Sequence, residues 1–110
     1  MAPATATTGP AGERLAALVL ERHGCGIVER NSLVGVDEID LVVRHGGRIV
    51  AVEVKTATNG DDPLEAVDEG KFDRLERAVM GHRLPISRID LVGIEVTRGF
   101  AVVRWLQGVR

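Results

Sequence analysis

The chain has 110 residues, 45% of them apolar and 27% charged, with a formal net charge of −2. That suffices for one hydrophobic core but not two, and no apolar run approaches the roughly 20 residues a bilayer span requires. The N-terminus lacks a basic start followed by an apolar run, so a cytoplasmic protein without a membrane partner is expected, and the lone Cys25 excludes an internal disulfide or a cysteine-cluster metal site.

Charge is unevenly spread. Residues 1–70 hold 6 Lys/Arg and 12 Asp/Glu, whereas residues 71–110 hold 8 and 4. An acidic front and a basic back fit a metal-loaded site beside a phosphate-contacting surface; chance scatter produces the same imbalance. With two Phe, one Trp and no Tyr, a base-stacking platform is not expected.

Residues 1–11, rich in Ala, Thr, Pro and Gly, predict a flexible tail, and residues 12–110 a single domain. A helix is predicted from Gly12-Glu13, with Leu15, Leu18 and Val19 as its apolar stripe and Gly24 as its end. Glu13 in its first turn suits the helix dipole without any further role. Ile27-Val28 predict a short strand, followed by a polar connection through Asn31 and Ser32.

Two apolar strands then flank a Gly46-Gly47 turn. Counting outward from that two-residue loop, paired positions sum to 93, which sets Asp40 opposite Glu53. Lys55 shares the face of Glu53 by the two-residue period. A polar loop follows at residues 57–61. Asp62-Pro63-Leu64-Glu65 has the form of a helix start, and the helix should run to about Met80, with Lys71 in its apolar stripe. Strands over Ile89–Ile94 and Phe100–Leu106 complete the pattern. Helix, three strands, helix and two strands predict an α/β domain whose mixed sheet is covered by two helices.

Two carboxylates on one face form a hard, anionic pocket of the kind Mg²⁺ or Mn²⁺ prefers, with the Val54 carbonyl as a further oxygen donor. Beside such an ion, Lys55 would orient a water or offset charge on a phosphate. Spacing alone also allows plainer readings. Glu-x-Lys on a strand describes a solvated face, Asp40 can pair with Arg44 or Lys55, and Lys71 can snorkel along its own stem. His23, His45 and His82 fall at a helix end, a turn and a helix exit, so exposed and idle histidines are expected.

Gly12-Glu13, Glu29-Arg30-Asn31, Glu38-Ile39-Asp40-Leu41, Val52-Glu53-Val54-Lys55, Pro63-Leu64-Glu65-Ala66-Val67 with Lys71, and Ile89-Asp90-Leu91-Val92-Gly93-Ile94 occur in that order. Together they resemble the small bacterial YraN-like family. That family is grouped by resemblance with the PD-(D/E)XK nucleases, of restriction-endonuclease-like fold (αβββαβ core), near the archaeal Holliday-junction resolvases. The resemblance implies Asp40 and Glu53 as the motif acids, Lys55 as the motif lysine, Glu13 as an auxiliary metal or water ligand, and Lys71 as a helix-borne polar contributor. It further implies a Mg²⁺- or Mn²⁺-dependent endonuclease acting on DNA, including branched or structured DNA. The symmetry of a junction implies a homodimer, for which Phe100, Val102, Val103 and Trp105 on the last strand are the candidate surface. Asp37 replaces the family's usual glycine before Glu-Ile-Asp, and the ending from Trp105 to Arg110 is atypical. The competing expectation is a non-catalytic nucleic-acid-binding or protein-interaction module, with Arg74, Arg77, Arg83 and Arg88 contacting phosphates.

Overall fold

The computed structural model describes residues 9–58 and 60–110, so the first eight residues of the expected tail lie outside them. Helix α1 spans Pro10–Arg22, starting two residues before Gly12 because Pro10 supplies a preset first-turn φ. Gly24 adopts φ +94. The Cys25 N–H reaches the Leu20 carbonyl at 3.0 Å and the Gly24 N–H the Glu21 carbonyl at 3.1 Å, a full Schellman closure. The buried stripe of α1 is Gly12, Ala16, Ala17 and Leu20. It is rotated from the expected one, leaving Leu18 52% exposed. Small side chains win this face because they let the helix axis approach the sheet closely.

Strands β1 (Gly26–Val34), β2 (Asp37–His45), β3 (Arg48–Thr58), β4 (Ile86–Thr97) and β5 (Phe100–Leu106) form one mixed sheet in the order β1-β2-β3-β4-β5. All neighbours are antiparallel except β3 and β4. The expected connection at Asn31 and Ser32 is instead strand: β1 runs nine residues, with Asn31 at φ +50. Asn tolerates the left-handed region better than most residues.

The expected second helix is divided. Asp62 caps a short 3₁₀ turn over Pro63–Ala66, Val67 is extended, and Asp68 caps α2, which spans Glu69–Gly81. Asp68 accepts the Lys71 N–H at 2.9 Å, so a second capping carboxylate outcompetes helix continuation. The 3₁₀ turn packs on β4 where a Cβ on Gly93 would lie 2.9 Å from the Leu64 side chain. Through this crossover β4 returns parallel to β3.

The core has two parts. Ala16, Ala17 and Leu20 of α1 cover Leu41, Val43, Val50, Val52, Val92 and Ile94. Leu75 and Ala78 of α2 cover Ile39, Val42, Ile49, Ala51 and Ile89 on the other face. The central strands are therefore apolar on both sides, as strands sandwiched between helices must be. Beyond β5, Val109 and Arg110 pair with Ile89, and Arg110 stacks over Phe72 of α2. This ending is pinned by fully buried Asp90, which accepts from Arg88, the Trp105 indole and the Gly108 N–H at 2.8–2.9 Å. Among the described residues, no helix is long and apolar enough to cross a membrane.

Candidate active site

The β2–β3 register follows the expected sum from His45↔Arg48 up to Leu41↔Val52 and then stops one step short of Asp40 and Glu53. Ile39 belongs to the α2-side core and Leu41 to the α1-side core, so strict alternation breaks around Asp40. Here the strands part, and the Asp40 carboxylate enters the gap to accept the Val54 N–H at 2.8 Å. A side-chain oxygen thus replaces the backbone carbonyl that would have continued the ladder. Val54 lines the same cleft, and its N–H is the group that touches Asp40.

Helix α1 delivers Glu13. Its close approach depends on Gly12, because a Cβ there would meet the Thr56 hydroxyl at 2.3 Å. One carboxylate oxygen from each of Glu13, Glu38 and Asp40 lies within 4.8 Å of the other two. The Asn31 amide donates to Glu13 at 2.9 Å and to Glu38 at 3.5 Å, tying β1 to both. Glu38 was not among the expected site residues. Its signal was the two-residue period that sets it on the side of Asp40, which the strand then bends into use.

Glu53 is 5% exposed, and its carboxylate lies beside Asp40 and meets two lysines. Lys71 of α2 approaches it at 3.2 Å and Lys55 at 4.0 Å. Burial, then the charge of Glu53, pushes the Asp40 carboxyl up to about 8. Burial, then the neighbouring Lys71, lowers the Lys55 ammonium. Burial works against the Lys71 charge as well, but its contacts with Lys55 and Glu53 outweigh this and raise it. Lys71 therefore holds its proton while Lys55 is eased toward giving one up.

The donors gathered here are carboxylate oxygens, with no histidine or cysteine among them, which is the set hard divalent cations select. A carboxyl as reluctant to ionise as Asp40 marks negative charge that a bound cation would neutralise. The residues could hold a metal ion.

The chain matches, over residues 12–94, the family described as "Uncharacterised protein family UPF0102". It belongs to the UPF0102 family. This is the YraN-like group that the sequence resembles. A UPF0102 protein of Solibacter usitatus is 40% identical over 110 residues, covering 91% of this chain and 83% of that one. One from Streptomyces griseus is 40% identical over 111 residues (92% and 93%), and one from Thermotoga petrophila 45% over 87 (74% and 81%).

In this UPF0102 chain the four arginines expected to meet phosphate do not converge. Arg77 is bidentate to Asp37 at 2.9 and 3.0 Å, and this pairing holds the Asp37 carboxyl below its ordinary range. Arg83 pairs with Glu29. Arg88 is spent on Asp90, its side chain 14% exposed. Only Arg74 of the four lines the cleft of Asp40, Glu53 and Lys71. The charged partners decide this, and they lie 40 residues away for Arg77, 54 for Arg83 and a single step of alternation away for Arg88, where no local pattern marks them.

The histidines differ from expectation too. The His82 side chain is buried, with Nε2 at 3.0 Å from Glu29 and 2.9 Å from Ser32. Its Nδ1 accepts the Leu84 N–H at 3.0 Å, so the ring cannot relay a proton from serine to acid as a hydrolytic triad does. His45 packs edge-on to Trp105 at 5.1 Å and bonds to Arg88. His23 is exposed as expected.

Proposed function

We propose that this protein is a Mg²⁺- or Mn²⁺-dependent endonuclease that hydrolyses phosphodiester bonds in DNA, with structured or branched DNA among its substrates. The observation that carries this reading is the insertion of Asp40 between parted strands, beside Glu53, two lysines and the Glu13–Glu38 pair. Asp40 and Glu53, with Glu13 and Glu38 on the outer side, would hold the cation. When bound, that ion polarises a phosphoryl oxygen and lowers the pKa of a coordinated water.

The chain's own groups do the rest. Lys71, kept charged by its contacts with Lys55 and Glu53, presents a cation to a phosphate in the cleft. Lys55, with its proton loosened, can hydrogen-bond an attacking water or offset charge on the phosphate as it builds. Asn31 holds Glu13 and Glu38 in place, which reduces the reorganisation needed when the ion enters.

The test is cleavage of duplex, single-stranded and four-way-junction DNA with Mg²⁺ or Mn²⁺. We expect metal-dependent cuts that Asp40→Asn and Glu53→Gln each abolish. Absence of cleavage on all three substrates with either metal, or cleavage that survives both substitutions, overturns the assignment.

A further inference from the structure

Three clefts join end to end across the acidic centre. The first, about 110 Å³, is walled by Arg14 and Arg30 and contains Glu13. The second, about 270 Å³, contains Glu13 together with Asp40, Glu53, Lys55 and Lys71. The third, about 220 Å³, shares Asp40, Glu53 and Lys71 and is also lined by Asp37, Glu38 and Arg74. Through these shared residues the clefts are contiguous around the acidic centre, with Arg14 and Arg30 in one flanking cleft and Arg74, near Asp37 and Glu38, in the other.

Arg77, Arg83, Arg88, Arg104 and Arg110 are each committed to a carboxylate. Arg14, Arg30 and Arg74 are exposed, and among the described residues none of them makes an ion pair. The arginines without an ion pair among the described residues also include Arg22, Arg44, Arg48 and Arg98, but only Arg14, Arg30 and Arg74 line these clefts. Arg14 follows Glu13 on α1, and Arg30 precedes the Asn31 that bonds to Glu13, so both are anchored by the same contact that builds the acidic cluster. A polyanion drawn across a carboxylate centre needs cations on both sides of it to offset the repulsion. No Phe or Trp lines the three clefts, so recognition there runs through phosphates and not through stacked bases.

We propose that one phosphodiester strand of nucleic acid lies along this groove, with Arg14 and Arg30 holding phosphates on one side of the acidic centre and Arg74 on the other. The inference rests on the nuclease reading for the choice of ligand and assigns the contacts that reading leaves open. Binding is then indifferent to base composition and steeply dependent on salt.

The experiment uses the full chain carrying Asp40→Asn, so that nothing is cut, and fluorescence anisotropy of a labelled oligodeoxythymidine. Each phosphate contact on a single strand contributes about 0.7 to the slope of log affinity against log salt. Arg14→Gln, Arg30→Gln and Arg74→Gln should each flatten that slope by this amount. Between about 50 and 200 mM salt the ratio of affinities then shrinks about 2.6-fold per substitution. Arg14→Lys and Arg30→Lys keep the charge and should restore the slope. Arg48→Gln, at the opposite end of the β2–β3 hairpin, should leave it unchanged.

Unchanged slopes in the Arg14 and Arg30 variants, equal losses from Arg48→Gln, or no binding at low salt overturn the groove. The nuclease assignment is judged separately, by cleavage with the unsubstituted chain. If cleavage is absent while the arginine effects hold, the groove stands and catalysis falls. If cleavage occurs while the slopes do not move, catalysis stands and the groove falls.

Discussion

Asp40→Asn should make the metal-free protein more stable, although it removes a residue at the heart of the site. The folded carboxyl is pushed from 3.8 up to about 8 by burial and by Glu53, so at neutral pH folding requires that it take up a proton. The unfolded chain, free to ionise, gains up to about 4 kcal/mol at pH 7 from that difference. Water in the cleft screens part of this, leaving about 1–2 kcal/mol. Asparagine carries no charge in either state, and its amide oxygen can still accept the Val54 N–H that Asp40 takes at 2.8 Å. For a domain of this size the gain corresponds to about 4–15 °C in Tm.

The sign follows from linkage. The folded pKa is raised, so the stability of the unsubstituted protein is fully present below the unfolded value of 3.8 and is lost as pH rises toward about 8. The two proteins should therefore melt together near about pH 3 and diverge up to about pH 8. Added Mg²⁺ should reverse the order, since an ion at about 100 times its Kd stabilises the unsubstituted protein by about 2.7 kcal/mol and has lost a ligand in the variant. Calorimetry or circular dichroism melts across pH, with EDTA and with Mg²⁺, measure all of this. Lower stability of Asp40→Asn at neutral pH in EDTA, or a difference that does not change with pH, refutes the reasoning.

Further outcomes follow from other contacts. Gly12→Ala forces a Cβ to within 2.3 Å of the Thr56 hydroxyl and should cost about 1–3 kcal/mol in urea denaturation. Thr56→Ala removes a hydroxyl that has no partner among the described residues and should recover most of that loss in the double variant; independent, additive effects would refute the contact. Asp90→Ala strands the largely buried Arg88 guanidinium and the Trp105 indole and should cost about 3–5 kcal/mol, a loss below about 1 kcal/mol being the contrary result. Lys55→Ala should lower kcat for DNA cleavage by about 10²–10⁴ with KM changed little; a loss confined to KM would make Lys55 a binding group only.

Much of the fold could be read without coordinates because its signals are local. The Gly46-Gly47 turn, with both residues at positive φ, sets the β2–β3 register, and a period of two carries that register outward. Asp62 is legible as a cap, but Asp68 caps a second helix and divides the single one that the pattern predicts. Hydrophobicity points to the leucines as the apolar stripe of α1, whereas close packing on the sheet selects Gly12, Ala16 and Ala17. Glu13, Asp40, Glu53, Lys55 and Lys71 were legible as candidates, and they do line one cleft.

By itself the sequence determined the order of elements, the hairpin and the candidate acids and lysines, since these depend on turn geometry and side-chain alternation within a few residues. Tertiary structure alone decided which groups meet. It placed Glu38 and Asn31 against Glu13, turned Glu53 toward Lys71, and committed Arg77, Arg83 and Arg88 to carboxylates. Such pairings depend on where strands part and how closely helices approach, and these are set by the packing of the whole core.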